Sequence, residues 1–175
     1  MHGAHAEGQG ALASGTRSHA EGYYTKATNL TSHAEGYTTR ATGEHSHVEG
    51  YQNIAFGNNS HAQGTLTISK GDNSHAEGEK TYAGGKNSHA EGLGLNTTNS
   101  ITEPMWTDLK YNLPEKNNSK NYGAIGNYSH SEGNATYAQG ENSHAENHET
   151  IASGKNSHAE GYKTTASGES SHAEG

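Results

Sequence analysis

Histidine and glutamate recur together along this chain, in a pentapeptide that reads Ser-His-Ala-Glu-Gly. Serine, imidazole and carboxylate are the parts of a nucleophilic triad, and imidazoles with carboxylates are also ligands for divalent metal ions. In an extended strand, alternate side chains point to opposite faces, so Ser32 points away from His33 and Glu35. The pentapeptide therefore cannot assemble a triad locally, and we predict that this segment is not an enzyme.

The histidines define a repeat of fourteen residues. With one exception, neighbours in the series stand fourteen residues apart: His5, His19, His33, His47, His61, His75, His89, His130, His144, His158 and His172. A fixed short period predicts a solenoid, in which each coil stacks on the next. Leu, Ile, Val and Phe together number only fourteen of 175 residues. So few large apolar side chains cannot fill a broad globular core, but they suffice for narrow contacts between stacked coils.

Each coil is predicted to contain two short strands and two turns. In the coil 32–45, residues 32–36 form the first strand and residues 39–43 the second, and both alternate small with larger side chains. If the small side chains face inward, the two strands approach closely and the coil is flat and thin. We therefore predict an all-β fold, a narrow parallel β-roll with like residues stacked about 4.8 Å apart.

The two outward faces of this roll differ in composition. The first strand presents His in all eleven coils and Glu in ten, with Gln63 as the exchange. The matching column of the second strand is variable, ranging from Lys26 and Arg40 to Ile54, and we predict that it faces solvent. A uniform column suits a repeated identical environment such as a symmetry axis between subunits. The His/Glu face is thus predicted to lie at an oligomer interface.

Residues 73–78 and 156–161 both read Asn-Ser-His-Ala-Glu-Gly. They resemble the Asn-Ser-x-Ala-x-Gly consensus of the head repeats of YadA-like trimeric autotransporter adhesins. The resemblance implies a left-handed β-roll assembled as a parallel homotrimer. The family commonly has Val and Ile at the x positions, and the His/Glu form seen here resembles repeats of phage and prophage tail-fibre proteins. The trimer interface that this implies comprises His19, Glu21, His33, Glu35, His75, Glu77, His89, Glu91, His144, Glu146, His158 and Glu160.

At a threefold axis the histidines have two possible roles. Three imidazoles from one or two layers could ligate a divalent ion, or each histidine could donate to a glutamate of its own or a neighbouring chain. The candidate axial ligands are His19, His33, His47, His61, His75, His89, His130, His144 and His158. We favour the hydrogen-bonded pairs, with no metal and no cofactor, and predict association that changes between about pH 5 and 8.

One interval between histidines is longer than the others. His89 and His130 are 41 residues apart, so residues 95–121 are predicted to be an insertion at a coil turn, between β-roll repeats 1–94 and 122–175. The insertion contains Trp106, Met105 and Tyr111. It either folds over a coil edge or subunit seam, or contacts a cell-surface glycan or protein receptor.

Composition restricts the function further. The formal charge of −8 without a basic cluster argues against nucleic-acid binding, and no apolar run is long enough to span a membrane. We predict a structural, adhesive segment of a trimeric surface fibre, a phage or phage-like tail fibre that takes part in host attachment. Its location is then a virion tail fibre or the cell surface. The alternatives are a bacterial adhesin head that binds host matrix and a self-assembling extracellular filament subunit.

Overall fold

The computed structural model describes residues 3–94 and 122–175, which fold as a two-sheet parallel β-solenoid without a helix. The first sheet contains the odd-numbered strands: β1 (His5–Glu7), β3 (His19–Tyr23), β5 (His33–Tyr37), β7 (His47–Val48), β9 (His61–Thr65), β11 (His75–Glu79), β13 (His89–Leu93), β15 (His130–Asn134), β17 (His144–His148), β19 (His158–Ala159) and β21 (His172–Ala173). The second contains the even-numbered strands: β2 (Leu12–Ala13), β4 (Lys26–Ala27), β6 (Arg40–Ala41), β8 (Ile54–Ala55), β10 (Ile68–Ser69), β12 (Tyr82–Ala83), β14 (Gly123–Ala124), β16 (Tyr137–Ala138), β18 (Ile151–Ala152) and β20 (Thr165–Ala166).

Every coil pairs with the next in register, so that like residues face one another. In the first sheet His19 pairs with His33 and Ala20 with Ala34. The ladder continues from β13 to β15, where His89 pairs with His130. The predicted parallel β-roll is therefore confirmed for the single chain.

Alanines form the interior of the roll. Ala20 and Ala34 of the first sheet and Ala27 and Ala41 of the second are fully buried and belong to one cluster. Beside them lie serine hydroxyls, and each serine that precedes a first strand donates to a carbonyl three residues earlier, as Ser18 does to Gly15 at 2.8 Å. These bonds satisfy most of the buried serine hydroxyls within their own coil, whereas the buried hydroxyls of Thr25 and Thr67 have no hydrogen-bond partner.

Both turns of a coil use left-handed backbone. At the end of the first strand, Gly78 has φ +104°, and a Cβ there would lie 2.1 Å from the carbonyl oxygen of Gly92 in the next coil. In the other turn, which leads from the second strand to the next coil, His45 has φ 58°. Glycine suits the first of these positions because it tolerates positive φ and has no Cβ. The one other residue in this column of the described repeats is Asn147, with φ 79°.

The second strand differs from its prediction in two respects. It is shorter, with Arg40–Ala41 in place of residues 39–43. Its outward column is also not uniformly open to solvent, since Ile54 and Ile68 are 2% exposed and Tyr82 is 8% exposed, whereas Leu12 is 46% exposed. The expectation of a solvent face is wrong for these three residues. They stand in adjacent coils, in register, so each bulky side chain shields the next.

The predicted insertion, with Trp106, Met105 and Tyr111, lies outside the described residues. Among residues 3–94 and 122–175, no helix has the length and apolar character needed to cross a membrane.

Candidate functional site: the His/Glu face

The outward side of the first sheet is formed by two parallel columns, one of histidines and one of glutamates, which we call the His/Glu face. Alternation along each strand creates it, because the alanine between each His and Glu points inward: Ala34 is buried while His33 and Glu35 are partly exposed. All members of the predicted interface lie on this face: His19, Glu21, His33, Glu35, His75, Glu77, His89, Glu91, His144, Glu146, His158 and Glu160. His47, His61 and His130 complete the histidine series between them.

The imidazoles form a continuous stack. From His19 to His172, neighbouring ring centroids are 4.7–4.9 Å apart and the ring planes lie within 20° of parallel. Only the terminal ring of His5 turns, at 63° to His19. The strand spacing sets this distance, so the backbone fixes the position of each imidazole.

The Nε2 atoms of this stack point toward the glutamate column. His33 Nε2 is 3.7 Å from Glu35 Oε2 of its own coil, and His61 Nε2 is 3.6 Å from Glu49 Oε1 of the preceding coil. Hydrogen-bond distance is reached at His158, 3.0 Å from Glu146. For most of the column, Nε2 is buried without a hydrogen-bond partner, at His19, His33, His47, His61, His75, His89, His130 and His144. Within one chain, therefore, only a few of the histidines form the predicted hydrogen bond with a glutamate.

The carboxylates interact with one another along their own column. Hydrogen bonding to Glu132 and Glu77 raises the pKa of Glu91 to about 7, and the same contacts hold the pKa of Glu77 and of Glu132 below the usual range. Gln63 donates its amide to Glu77. An amide cannot lose this proton, so Gln63 plays the part that a protonated glutamate plays at Glu91. In the sequence, Gln63 stands out only as the exception in the glutamate column; its spacing of one coil from Glu77 is the signal for the contact.

Four histidines of the column are shifted toward the neutral form. Burial, followed by the charge of neighbouring histidines, lowers the pKa of His33, His61, His75 and His130. A lowered histidine pKa contributes stability above about pH 6.5 and loses it as the pH falls through the folded-state value. The raised Glu91 pKa has the opposite effect: its contribution is complete below about pH 4.5 and is lost as the pH rises through 7.

We expect Glu91→Gln to stabilise the metal-free protein at pH 8 and to leave it unchanged at pH 5. At pH 5 Glu91 is protonated and donates as glutamine does, whereas at pH 8 its charge adds repulsion to the column. With solvent screening, the expected gain in Tm at pH 8 is about 2–4 °C. Thermal unfolding in EDTA at both pH values measures it. Glu141→Gln, which removes a carboxylate paired with Lys155 away from the column, is the control. An equal gain at both pH values would contradict the shared proton.

An open groove runs along the glutamate column. It has a volume of about 620 Å³. Its walls include Glu49, Gln63, Glu77 and Glu91, and its floor includes the glycines that end the first strands. The groove is a feature that the sequence did not predict, since it depends on how far the carboxylates project above the glycine column.

Four groups on this face bring metal-ligating atoms within 4.8 Å of one another. They are Glu77 with His89 and Glu91, His130 with Glu132 and His144, His144 with Glu146 and His158, and Glu160 with His172 and Glu174. These sets mix imidazole with carboxylate inside one chain. The metal site that the sequence left as an alternative consisted only of imidazoles from three chains.

The serines do not join this chemistry. Ser32 is 1% exposed and its hydroxyl donates to Asn29 O at 2.8 Å, inside the roll and on the other side of the strand from His33. Ser157 makes the equivalent bond to Gly154 at 2.6 Å. Within the described repeats, the pentapeptide thus presents no serine to a histidine.

Comparison with known proteins identifies the repeat. The family model of the YadA head domain repeat matches the chain twice, at residues 6–25 and 131–157. The chain therefore contains YadA-like head repeats, and the resemblance seen in the sequence is confirmed. A search of curated proteins finds no match.

Proposed function

We propose that this chain, as a bearer of YadA-like head repeats, is a non-enzymatic segment of a trimeric surface fibre whose three His/Glu faces meet at the threefold axis. The observation that supports this most is the uniformity of that face over eleven coils, against the variability of the second sheet. At a fibre axis the environment is the same in every layer, so the same residues are favoured in every layer.

Unsatisfied polar atoms favour the same face. Buried Nε2 atoms without partners cost free energy, and stacked carboxylates repel one another. A neighbouring chain can supply donors to the carboxylates and acceptors to the imidazoles, and its side chains can enter the groove beside Glu77 and Glu91. The proposed interface is the set of histidines and glutamates predicted from the sequence.

The proposed role is mechanical and adhesive. Eleven coils at about 4.8 Å give a rod roughly 50 Å long, which holds a binding part away from the particle or cell. The His/Glu form of the repeat favours a phage or phage-like tail fibre involved in host attachment. Trp106, Met105 and Tyr111 remain proposed receptor contacts, because aromatic side chains suit sugar faces. Three copies on one fibre multiply weak contacts through avidity.

A bacterial adhesin head is the second candidate, and the match to the YadA head repeat favours it. In that case the chain itself binds host matrix and is displayed at the cell surface. Binding of the isolated chain to immobilised extracellular-matrix protein would favour this candidate. A chain that binds none would favour the role of a spacer.

The mass in solution tests the trimer. One chain has a mass of 18.4 kDa, so light scattering at neutral pH should give three times that, about 55 kDa. Glu132→Arg places a bulky charge on the His/Glu face and should yield monomers. Thr165→Arg makes the same kind of change at an exposed position of the second sheet and should remain trimeric.

Circular dichroism should show that both variants retain the roll. A monomeric wild-type chain would overturn the proposal, and so would a trimer that Thr165→Arg disrupts and Glu132→Arg does not. In the latter case the second sheet would be the interface.

A further inference from the structure

The repeated unit of the His/Glu face is an imidazole nitrogen set between carboxylates of successive coils. His130 Nε2 is 3.8 Å from Glu132 Oε2, and His144 Nε2 is 3.8 Å from the other oxygen of the same carboxylate. His89 Nε2 lies 3.8 Å from Glu91 Oε2. All three nitrogens are buried and without hydrogen-bond partners.

These separations suit two ligands of one metal ion better than a hydrogen bond. A hydrogen bond to nitrogen needs about 2.7–3.2 Å. Zn–N and Zn–O bonds of about 2.0–2.2 Å place two ligands of a tetrahedral zinc ion about 3.4 Å apart. The observed pairs, at 3.6–3.8 Å, need to close by only a few tenths of an ångström. The carboxylates are partly exposed, with Glu91 at 33%, so they can swing to admit an ion.

Charge favours a cation at the same place. The ion pairs that the column carboxylates make are with histidines, whereas Lys80, Lys155 and Lys163 pair with glutamates away from the column. A divalent ion between an imidazole and a carboxylate would relieve repulsion along the stack. Mixed nitrogen and oxygen ligands are typical of zinc and other borderline transition metals, while Mg²⁺ and Ca²⁺ prefer oxygen alone.

We propose that the four His/Glu groups bind divalent transition-metal ions of the zinc class, each ion held by imidazole and carboxylate ligands from adjacent coils of a single chain. Solvent completes the coordination. All protein ligands of a site come from one chain, so we expect a monomeric chain to bind the ions as well.

The arrangement predicts a stoichiometry. Two of the four groups share His144, so only one of these two can be filled through that nitrogen, and four groups give three ions per chain. Gln63 interrupts the column between His61 and His75, where a carboxylate would create a group like that of His130, Glu132 and His144.

Equilibrium dialysis of the EDTA-treated full chain against Zn²⁺, with metal counted by mass spectrometry, should give about three ions per chain. Gln63→Glu should raise this number by about one, a gain that misfolding cannot produce. Removing one carboxylate from every group, in Glu91→Gln, Glu132→Gln, Glu146→Gln and Glu160→Gln combined, should abolish saturable binding. The natural Gln63 shows that the column accommodates glutamine.

A matched control removes four carboxylates elsewhere, in Glu44→Gln, Glu141→Gln, Glu149→Gln and Glu169→Gln combined, and should keep about three ions. The visible spectrum of the Co²⁺-loaded protein should indicate mixed nitrogen and oxygen ligation. Zinc binding that survives the column variant, that is lost equally in the control, or that does not increase in Gln63→Glu would overturn the proposal. Loss in histidine variants alone would indicate an imidazole-only site.

Discussion

Gly78→Ala is expected to lower the free energy of unfolding by about 3 kcal/mol, the largest effect we anticipate from the smallest possible addition. Gly78 has φ +104°, and the added methyl would lie 2.1 Å from the carbonyl oxygen of Gly92, which belongs to the adjoining coil. The strain cannot be relieved within one coil, because Gly64, Gly78 and Gly92 are stacked and a shift of one displaces the next.

Urea unfolding followed by circular dichroism measures this effect. Gly168→Ala is the control, since a methyl there meets only Ser171, at 3.5 Å, and φ is outside the left-handed region. The control should change stability by less than about 0.5 kcal/mol. Equal losses in the two variants would mean that the close approach between coils is not the cause.

Ala90→Leu should destabilise the roll by about 2–3 kcal/mol through overpacking. Ala90 is 1% exposed and packs in one cluster with Ala76, Ala83 and Ala124. The cavity that it lines with Gly123 and Ser131 has a volume of only about 10 Å³, which is too small for three further carbons. The chain itself provides the scale for a smaller change, because Val48 occupies the same column three coils earlier in the series and is fully buried.

Ala90→Val is therefore the graded comparison and should cost about 1 kcal/mol or less. The same urea titration measures both variants. If leucine were tolerated as well as valine, the interior would be wider than the alanine columns indicate. Gly78→Ala tests how closely the backbones of adjacent coils approach, whereas the two Ala90 variants test how much side-chain volume the interior accepts.

Much of the fold followed from the sequence because the chain repeats. The alternation in residues 32–36 determined which side chains face inward, and one correct coil determined the others. The prediction from the sequence was wrong where the residues of adjacent coils, rather than the local pattern, determine whether a side chain is buried. Ile54, Ile68 and Tyr82 are buried because bulky residues occupy adjacent coils. A prediction made for each coil separately does not include the effect of the coils beside it.

The candidate site was predicted in membership but not in detail. Placing His33 and Glu35 together on the outer face required only the period of a strand. Whether Nε2 lies within hydrogen-bond distance of a carboxylate depends on side-chain torsions and on the preceding coil, as His158 and Glu146 show. The role of Gln63 needed the same information, since it is defined by its contact with Glu77 one coil later.

The in-register pairing of His89 with His130 has an evolutionary consequence. Since each coil presents the same surfaces above and below, unequal crossing-over between repeats in the gene adds or deletes whole coils and leaves every remaining interface intact. Length can thus vary in steps of about 4.8 Å, without compensating mutations. A new segment can likewise be inserted between two coils while the stack on either side continues. Selection can therefore act on the length of the rod and on inserted segments independently.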